Sequence, residues 1–545
     1  VRIIAAVFAD FEHSFLGLPS QLSRRLGSRT VLEHTLDRLA RVSGLDGRCL
    51  FVRPRDREPA RQALQQSGHA GGTELVPLDD GQRRRRALLR SARKWNLHAW
   101  RGSPLGTTWF DEFVEPPAVA RVLNHYGCDA VLCLDGHQPA FDTGIASAMV
   151  ARMRERADQA ALVFSQAPPG LAGLVLTREA VAQLLAQDIP AGLLLSYRPE
   201  MPRCDPINQP SCFQIDTDIA RTVARFTADT RRSRELLEPA FAQLGEQVES
   251  GPLCAFIRNG HQTRPRELPA EIEVELTTET PLPESTLRPP CVPTRELSDL
   301  ETLDRLADQL AAYDDQLVTF GGHGDPLAHP DFAQACERFR KAGVLGITVR
   351  TPLVNLSDEC LEALFANHVD ILQVRLDADS PELYRGVHAA DRFDRVIANI
   401  ERVQCLRRER VSAQPIVVPS FTRCTATLHE MEEFFDRWIR ATGWAVIDGY
   451  NDYCGALPPD SLLHAAPPVR QACRRLNASF ALLADGTTTM CHQDYRGQLA
   501  LGDWRVKPLT ELWSSDEITR ARRAHAALEL DNYPLCQQCH EWFRP

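Results

Sequence analysis

Four cysteines constrain this chain more than any other feature. Cys473, Cys491, Cys536 and Cys539 fall in the last 73 residues at the spacing C-x17-C-x44-C-x2-C. Thiols at such spacing mark a metal site, because a C-x2-C pair is a compact two-thiolate clip and two further soft ligands complete a four-coordinate shell. A tetrahedral four-sulfur site holds either zinc or an iron-sulfur cluster, so spacing alone leaves both open. Around the second of these cysteines runs FALLADGTTTMCHQDYRGQLALGDW, whose Ala-Asp-Gly supplies a hairpin turn that returns a strand toward Cys491. Sixteen cysteines in a long chain without a recognisable secretion signal argue for reduced thiols and metal ligation rather than a disulfide framework.

At 545 residues the chain is too long for one ordinary core and should form two to four domains. No run of about 18 uncharged apolar residues is present, so no membrane span is expected, and the start VRIIAAVFADFEHSF lacks the pattern of a signal peptide. The expected location is the cytoplasm. A net charge of -10 gives no reason to expect nucleic-acid binding. Arginine supplies nearly all the positive charge, the only lysines being Lys94, Lys341 and Lys507.

Short apolar runs at Ile3 to Phe8, Cys49 to Val52, Ala130 to Leu134, Ala160 to Phe164 and Leu171 to Leu176 alternate with amphipathic stretches, the pattern of an α/β domain. Arginine-rich helical sequence around 220–248 closes it. The polar segment RNGHQTRPRELPA, 258–270, is the candidate linker. A second α/β series follows, with EIEVELT, QLVTFGG, GITVRT, DILQVRL and SAQPIVVPS as strands and helices at 296–313, 331–342 and 357–367. Regular alternation implies a parallel sheet as a partial or full barrel. The expected fold class is therefore α/β multidomain: a domain at 1–245, a linker spanning 246–270, a barrel at 271–450 and a small metal-binding domain at 451–545.

In the second series, GGHGDPLAHPDF, VRLDADSPELYRGVH and FDRVIANIERV resemble, in order, segments of the radical S-adenosylmethionine (SAM) enzymes. The resemblance implies that Gly321, Gly322, Gly324 and Asp325 correspond to the loop that approaches the methionine end of SAM. Paired glycines permit close backbone approach, and an acidic group can accept from an amine. One family feature is missing. Where a CxxxCxxC loop would hold a [4Fe-4S] cluster with one open iron, the simplest register places Thr280, Glu284 and Leu287. None replaces a thiolate, and Cys291 alone cannot hold such a cluster. The family's Ser-Leu-Asp also reads Arg375-Leu376-Asp377 here. Reductive cleavage of SAM is therefore not expected, and the case for SAM binding at this loop, read as a vestigial SAM site, is weakened.

The tail resembles the SPASM or Twitch extension of those enzymes, on Cys473, FALLADGTTTMC, Asp494, Gly497, LGDW, LTELWSS and PLCQQCHEW. That resemblance implies one [4Fe-4S] cluster on Cys473, Cys491, Cys536 and Cys539, with zinc as the alternative. Cys454 is an extra thiol, read as a buried filler. The first domain resembles nucleotidyltransferases that activate sugars, on IIAAVFAD, FLGLPSQL, RTVLEHTLDRL, AWRGSPLGTTWFDEF and AVLCLDGHQPAFD. This implies a magnesium-nucleotide site with Arg101 and Asp135, in which His137 stands where the family has an aspartate and the loop lysine is roughly Gln21.

The whole order is similar to that of spiro-SPASM proteins. The reading that follows is an iron-sulfur protein with a degenerate radical SAM core, serving as redox, binding or scaffolding partner in modification of a peptide or glycan. Two alternatives stand beside it: a nucleotidyltransferase acting on a sugar, and a radical SAM enzyme completed by a partner. The run Arg83 to Arg86 is read as a solvated helix face, and Cys128, Cys133, Cys336 and Cys360 as small apolar packing residues.

Overall fold

A computed structural model describes residues 1–78, 83–197, 201–258, 267–462 and 466–543. The chain divides into two compact units, Val1–Arg264 and Pro265–Pro545, each described by itself below.

The first unit is built on a seven-stranded sheet in the order β5-β4-β1-β6-β8-β7-β9. Its strands are β1 (Ile3–Ala9), β4 (Gly47–Val52), β5 (Glu74–Pro77), β6 (Ala130–Asp135), β7 (Leu162–Ser165), β8 (Leu174–Thr177) and β9 (Cys212–Phe213). A two-residue hairpin, β2 (Arg25–Leu26) and β3 (Arg29–Thr30), lies outside that sheet. All seven residues of β1 are buried, and it pairs in parallel with β4 and β6. Alternate residues of β1 enter different cores: Ile3, Ala5 and Val7 pack on one face of the sheet, Ile4, Ala6 and Phe8 on the other. From β1 the chain builds outward through β4 and β5, then returns to place β6 on the other side of β1. That reversal opens a crevice at the carboxyl ends of β1 and β6, where open α/β sheets bind ligands.

The second unit carries one nine-stranded sheet in the order β15-β14-β13-β12-β11-β10-β16-β17-β18. Its strands are β10 (Glu271–Val274), β11 (Leu317–Phe320), β12 (Gly346–Thr351), β13 (Ile371–Arg375), β14 (Ile416–Arg423), β15 (Val446–Gly449), β16 (Ser479–Leu482), β17 (Thr487–Thr489) and β18 (Ala500–Asp503). Neighbours from β15 to β16 pair in parallel, and β17 and β18 add an antiparallel edge. The expected helices appear as Leu300–Leu310, Phe332–Lys341 and Asp358–Ala366, the first and third capped by Asp299 and Ser357.

Two boundaries differ from the sequence reading. Residues placed in the linker at 246–270 include the helix Ser250–Phe256, whose Leu253 and Cys254 are fully buried in the first unit's core; residues 259–266 of that linker lie outside the described residues. The barrel and tail, divided at 450, share one sheet: Glu271 of β10 registers with Ser479 of β16, and one hydrophobic core runs from Leu268 to Ala521. Both differences arise because burial of apolar side chains, not polarity along the chain, decides which segments belong together.

Candidate metal centre and neighbouring sites

The tail thiols are positioned by short, strongly determined elements. β16 and β17 form the expected hairpin, with Gly486 at φ 91°, and Trp504 locks the turn by donating its indole N–H to the Leu483 carbonyl at 3.0 Å. Just past Cys491, Asp494 accepts the backbone N–H groups of Gln498 at 2.9 Å and Leu499 at 2.7 Å, fixing the exit of the loop. Cys536 lies in the short helix Pro534–Gln538, and Cys539 is its C-terminal cap. Arg470 braces this clip by donating to the Cys536 and Gln537 carbonyls.

Cys473, Cys491, Cys536 and Cys539 are all half-buried, and Cys473, Cys491 and Cys536 each lie near enough to others of the four to feel their charge. Burial pushes the Cys491 and Cys536 thiols up to about 12, with nearby sulfurs adding to it: Cys473 and Cys539 act on Cys491, and Cys491, Cys539 and Cys473 act on Cys536. Cys473 is raised by burial as well. Two sulfurs receive backbone N–H groups, Cys491 from Gln493 and Cys539 from Glu541, each at 3.3 Å. Such bonds stabilise a thiolate and tune the potential of any cluster on it. Among the described residues no three His, Cys, Asp or Glu side chains already stand in the close set that grips a metal ion. The donor chemistry fits a thiophilic metal group nonetheless: four sulfurs, no oxygen donors, and a half-buried setting.

Cys454 belongs with them. It is buried and hydrogen-bonded to Cys539, a contact that raises Cys454 and lowers Cys539. Its neighbourhood also includes Cys491 and Cys536. The sequence reading treated Cys454 as a filler; its only signal was its place near the start of the tail.

The glycine loop after β11 is held by the chain's own carboxylates. Glu273 Oε1 accepts the N–H of Gly322 at 2.9 Å, and Glu275 Oε2 that of His323 at 3.0 Å. Gly322 has φ 85°, and a Cβ there would lie 2.8 Å from Glu275; a Cβ on Gly324 would lie 2.1 Å from the Thr277 carbonyl oxygen. Gly321, which forms no such cradle, accepts no closer Cβ neighbour than Glu273 Oε1 at 3.3 Å. Asp325 is fully buried; its Oδ1 accepts from the Thr351 hydroxyl at 2.7 Å and the Leu327 N–H at 3.2 Å. The four loop residues are thus brought together beside β10.

The segment that carries Thr280, Glu284 and Leu287 is pinned. Leu282 is buried in the core, and Thr286 donates its N–H to the Val387 carbonyl at 2.8 Å. Ser285 Oγ lies 2.9 Å from His388 Nδ1, whose Nε2 faces the Leu376 carbonyl at 3.2 Å. The second contact requires the proton on Nε2, so Nδ1 accepts from the serine.

In the first unit, a cavity of about 260 Å³ opens at the crevice between β1 and β6. Asp10, Asp135, His137, Arg53, Arg86, Arg90, Glu112 and Glu115 are among the residues lining it. Asp135 and His137 are linked by Oδ1···Nδ1 at 3.2 Å, and His137 Nε2 receives Ser20 Oγ at 3.2 Å and the Gln21 N–H at 3.4 Å. Burial disfavours the charged imidazole, but Asp135 outweighs it and raises the pKa of His137. Arg101 does not join Asp135: it holds Asp205 with two bonds of 2.8 and 3.1 Å and stacks on Trp100. The cavity's cations are instead Arg53 and two arginines of the helix that carries the run read as a solvated face. In the helix Arg83–Arg93, Arg86 and Arg90 sit one turn apart and line the cavity; Arg86 pairs with Glu115, and Arg90 donates to the Phe15 carbonyl at 2.7 Å. A helical period of four would have revealed this pair.

With this geometry established, comparison assigns two segments. Residues 289–431 match the radical SAM superfamily, and residues 473–540 match an iron-sulfur cluster-binding domain, SPASM. The second unit therefore carries radical SAM and SPASM domains. The SPASM match begins at Cys473 and includes Cys491, Cys536 and Cys539; the radical SAM match begins beyond Thr280, Glu284 and Leu287. A protein of Treponema pallidum (strain Nichols), described as uncharacterized, is 22% identical over 291 residues, covering 51% of this chain and 80% of its own. Among solved structures, SuiB of Streptococcus suis bound to precursor peptide SuiA is similar at 12% identity and TM-score 0.41, covering 56% of this chain and 83% of that one. A cytidylyltransferase from Leptospira borgpetersenii serovar Hardjo-bovis (strain JB197) is similar at 13% identity and TM-score 0.34, covering 48% and 95%. No helix among the described residues is long and apolar enough to cross a membrane.

Proposed function

We propose that the second unit is an iron-sulfur module of the cytoplasm: a SPASM domain holding one [4Fe-4S] cluster on Cys473, Cys491, Cys536 and Cys539, mounted on a radical SAM scaffold that has lost its core cluster. It serves as redox, binding or scaffolding partner in modification of a peptide or glycan. A cluster ligated by four thiolates supplies electron transfer or a structural brace, with no vacant iron for substrate. The observation that carries this reading is the loop after β10. It offers Thr280, Glu284 and Leu287 in place of cysteines, buries Leu282, and is tied to Val387 and His388. The glycine-loop amides of Gly322 and His323 donate to Glu273 and Glu275 within the same unit.

The test is the iron, sulfide and zinc content of anaerobically purified wild type beside Cys536→Ala/Cys539→Ala. About four irons and four sulfides per chain, absent from the variant, are expected for one cubane cluster. About eight of each, or reductive cleavage of SAM by the protein with a partner, would restore the radical-enzyme reading; zinc alone would make the tail a structural module.

The cavity at the β1/β6 crevice favours a second reading, a nucleotidyltransferase in the first unit. Arg53, Arg86 and Arg90 would face the phosphates, while Asp135 is the carboxylate for magnesium, Asp10 being held by Arg53 at 2.7 Å. Magnesium would neutralise phosphate charge there. Release of pyrophosphate from a nucleoside triphosphate in the presence of a sugar, abolished in Asp135→Asn, is the expected result; no release would remove this reading.

A further inference from the structure

The loop that follows β1 is tied down before the chain enters the helix Val31–Ala40. Ser14 donates its N–H to the Leu18 carbonyl at 2.8 Å, Ser20 donates its own to the Glu12 carbonyl at 3.0 Å, and Leu22 is fully buried in the core beneath. Ser20 is thus held in place while part of its surface stays exposed. Its Oγ lies 3.2 Å from Nε2 of His137, which is 2% exposed. On the other side of the ring, Nδ1 lies 3.2 Å from Oδ1 of Asp135, itself 7% exposed. Serine, histidine and carboxylate form one hydrogen-bonded line, with the buried pair behind and the half-exposed hydroxyl in front.

The tautomer of the ring follows from a donor that cannot accept. The Gln21 amide reaches Nε2 at 3.4 Å, so Nε2 carries the lone pair and the ring proton sits on Nδ1, facing Asp135. In that state an imidazole can take a proton from a serine. Ring and carboxylate are fixed from behind. His137 donates its N–H to Asp135 Oδ1 at 3.2 Å and accepts from the Ala228 N–H at 2.9 Å, while the Gln138 side chain accepts the Asp135 N–H at 2.6 Å and donates to the Ala172 carbonyl at 3.1 Å. Two backbone amides also converge on the serine. Leu22 donates to Ser20 Oγ at 3.5 Å and Gln21 to the neighbouring His137 Nε2; both bonds are long, so both donors are weakly engaged. An oxyanion forming beside Oγ would draw them in. His137 and Asp135 also line the cavity of about 260 Å³, whose wall includes the apolar side chains of Phe8, Phe15, Leu78 and Phe113.

We propose that Ser20, His137 and Asp135 are a catalytic triad that hydrolyses a carboxylic ester of a small apolar acyl group. Ser20 Oγ attacks the ester carbonyl carbon, and as the new C–O bond forms the hydroxyl proton passes to His137 Nε2. The bond to the alcohol oxygen then breaks, and the alcohol leaves with that proton. Water repeats the sequence on the acyl-serine, which releases the acid and restores Ser20. Asp135 holds the ring in its tautomer and stabilises the imidazolium; such a triad is recognised by geometry and roles, not by position in the chain. The activity goes beyond nucleotidyl transfer and needs neither magnesium nor a nucleotide. It uses Asp135 Oδ1, whereas Oδ2 accepts no hydrogen bond among the described residues.

The probe is p-nitrophenyl butyrate, given to the full-length holoprotein without magnesium or nucleotide. Wild type should release nitrophenolate over many turnovers, and Ser20→Ala should lose at least about a hundredfold of that rate. A fluorophosphonate should modify Ser20, located by peptide mapping, and should fail to modify it in His137→Gln. Should His137→Gln not fold, Asp135→Asn, which keeps the shape and favours the wrong tautomer, should lose the label in the same way. Ser285→Ala removes the serine hydroxyl that meets His388 in the second unit, and should hydrolyse the ester like wild type. Release no faster than in buffer, release unchanged in Ser20→Ala, or a label that misses Ser20 would overturn the proposal.

Discussion

Glu112→Gln tests the packing beneath the first unit's cavity. Glu112 is 6% exposed and accepts from Arg93 Nε at 3.0 Å and from Arg225 at 3.2 and 2.6 Å; Arg225 also pairs with Asp229. Arg93, Arg225 and Asp229 are each 2% exposed or less. The paired cluster thus sets two guanidiniums against two carboxylates, and the variant leaves Arg225 with Asp229 and removes the ion-pair partner of Arg93, on which the buried Asp111 still acts. Breaking a buried pair in this way costs about 3–5 kcal/mol. Over a unit of roughly 260 residues, an unfolding entropy of about 2.1 cal/mol/K per residue makes that about 5–9 °C in melting temperature. The assay is calorimetric unfolding of the purified chain, with visible absorbance of the cluster followed separately. The first unit's transition should fall by that amount while the cluster absorbance melts as in wild type. A fall below about 2 °C would refute the claim that these ions are mutually dependent.

Three further outcomes follow from the second unit. Burial lowers His323 from 6.5 to about 4, so the unfolded state takes up its proton first as pH drops. The stability it contributes is whole above pH 6.5 and disappears as pH falls toward 4; at about 1.4 kcal/mol per unit the loss is roughly 3 kcal/mol, and His323→Gln should make urea unfolding midpoints less acid-sensitive. Gly322→Ala forces a Cβ to 2.8 Å from Glu275 at φ 85°, and should lower unfolding free energy by about 1–3 kcal/mol. Cys454→Ser should keep about four irons per chain, since four thiols remain for the cluster; loss of iron would make Cys454 a ligand.

Buried strands were legible because they are short apolar runs: Ile3–Ala9 and Ala130–Asp135 are buried at every position. Glu74–Pro77 and Val446–Gly449 were not, since both lie at sheet edges and neither has a buried residue to set a pattern. The four cysteines of the SPASM match could be singled out because two of them, Cys536 and Cys539, stand three positions apart and the overall spacing is unusual. Cys454 could not, because its meeting with Cys539 is made by the fold across more than eighty residues. Arg101 was chosen from a motif, yet Asp205, more than a hundred residues away, claims it. Pairings of charged side chains depend on which distant carboxylate arrives, and local sequence carries no record of that.

The parallel pairing of Glu271–Val274 with Ser479–Leu482 sets a timetable for the growing chain. The strand that opens the second unit has its partner roughly 200 residues downstream, beyond every other parallel strand of the sheet. At about 5–20 residues per second, a ribosome needs roughly 10–40 s to deliver it. Throughout that interval the edge of β10 exposes unpaired backbone groups that invite pairing with another chain. A nascent chain of this protein is therefore vulnerable until its cysteine-rich end emerges, and the segment that gathers the metal is also the one that seals the sheet.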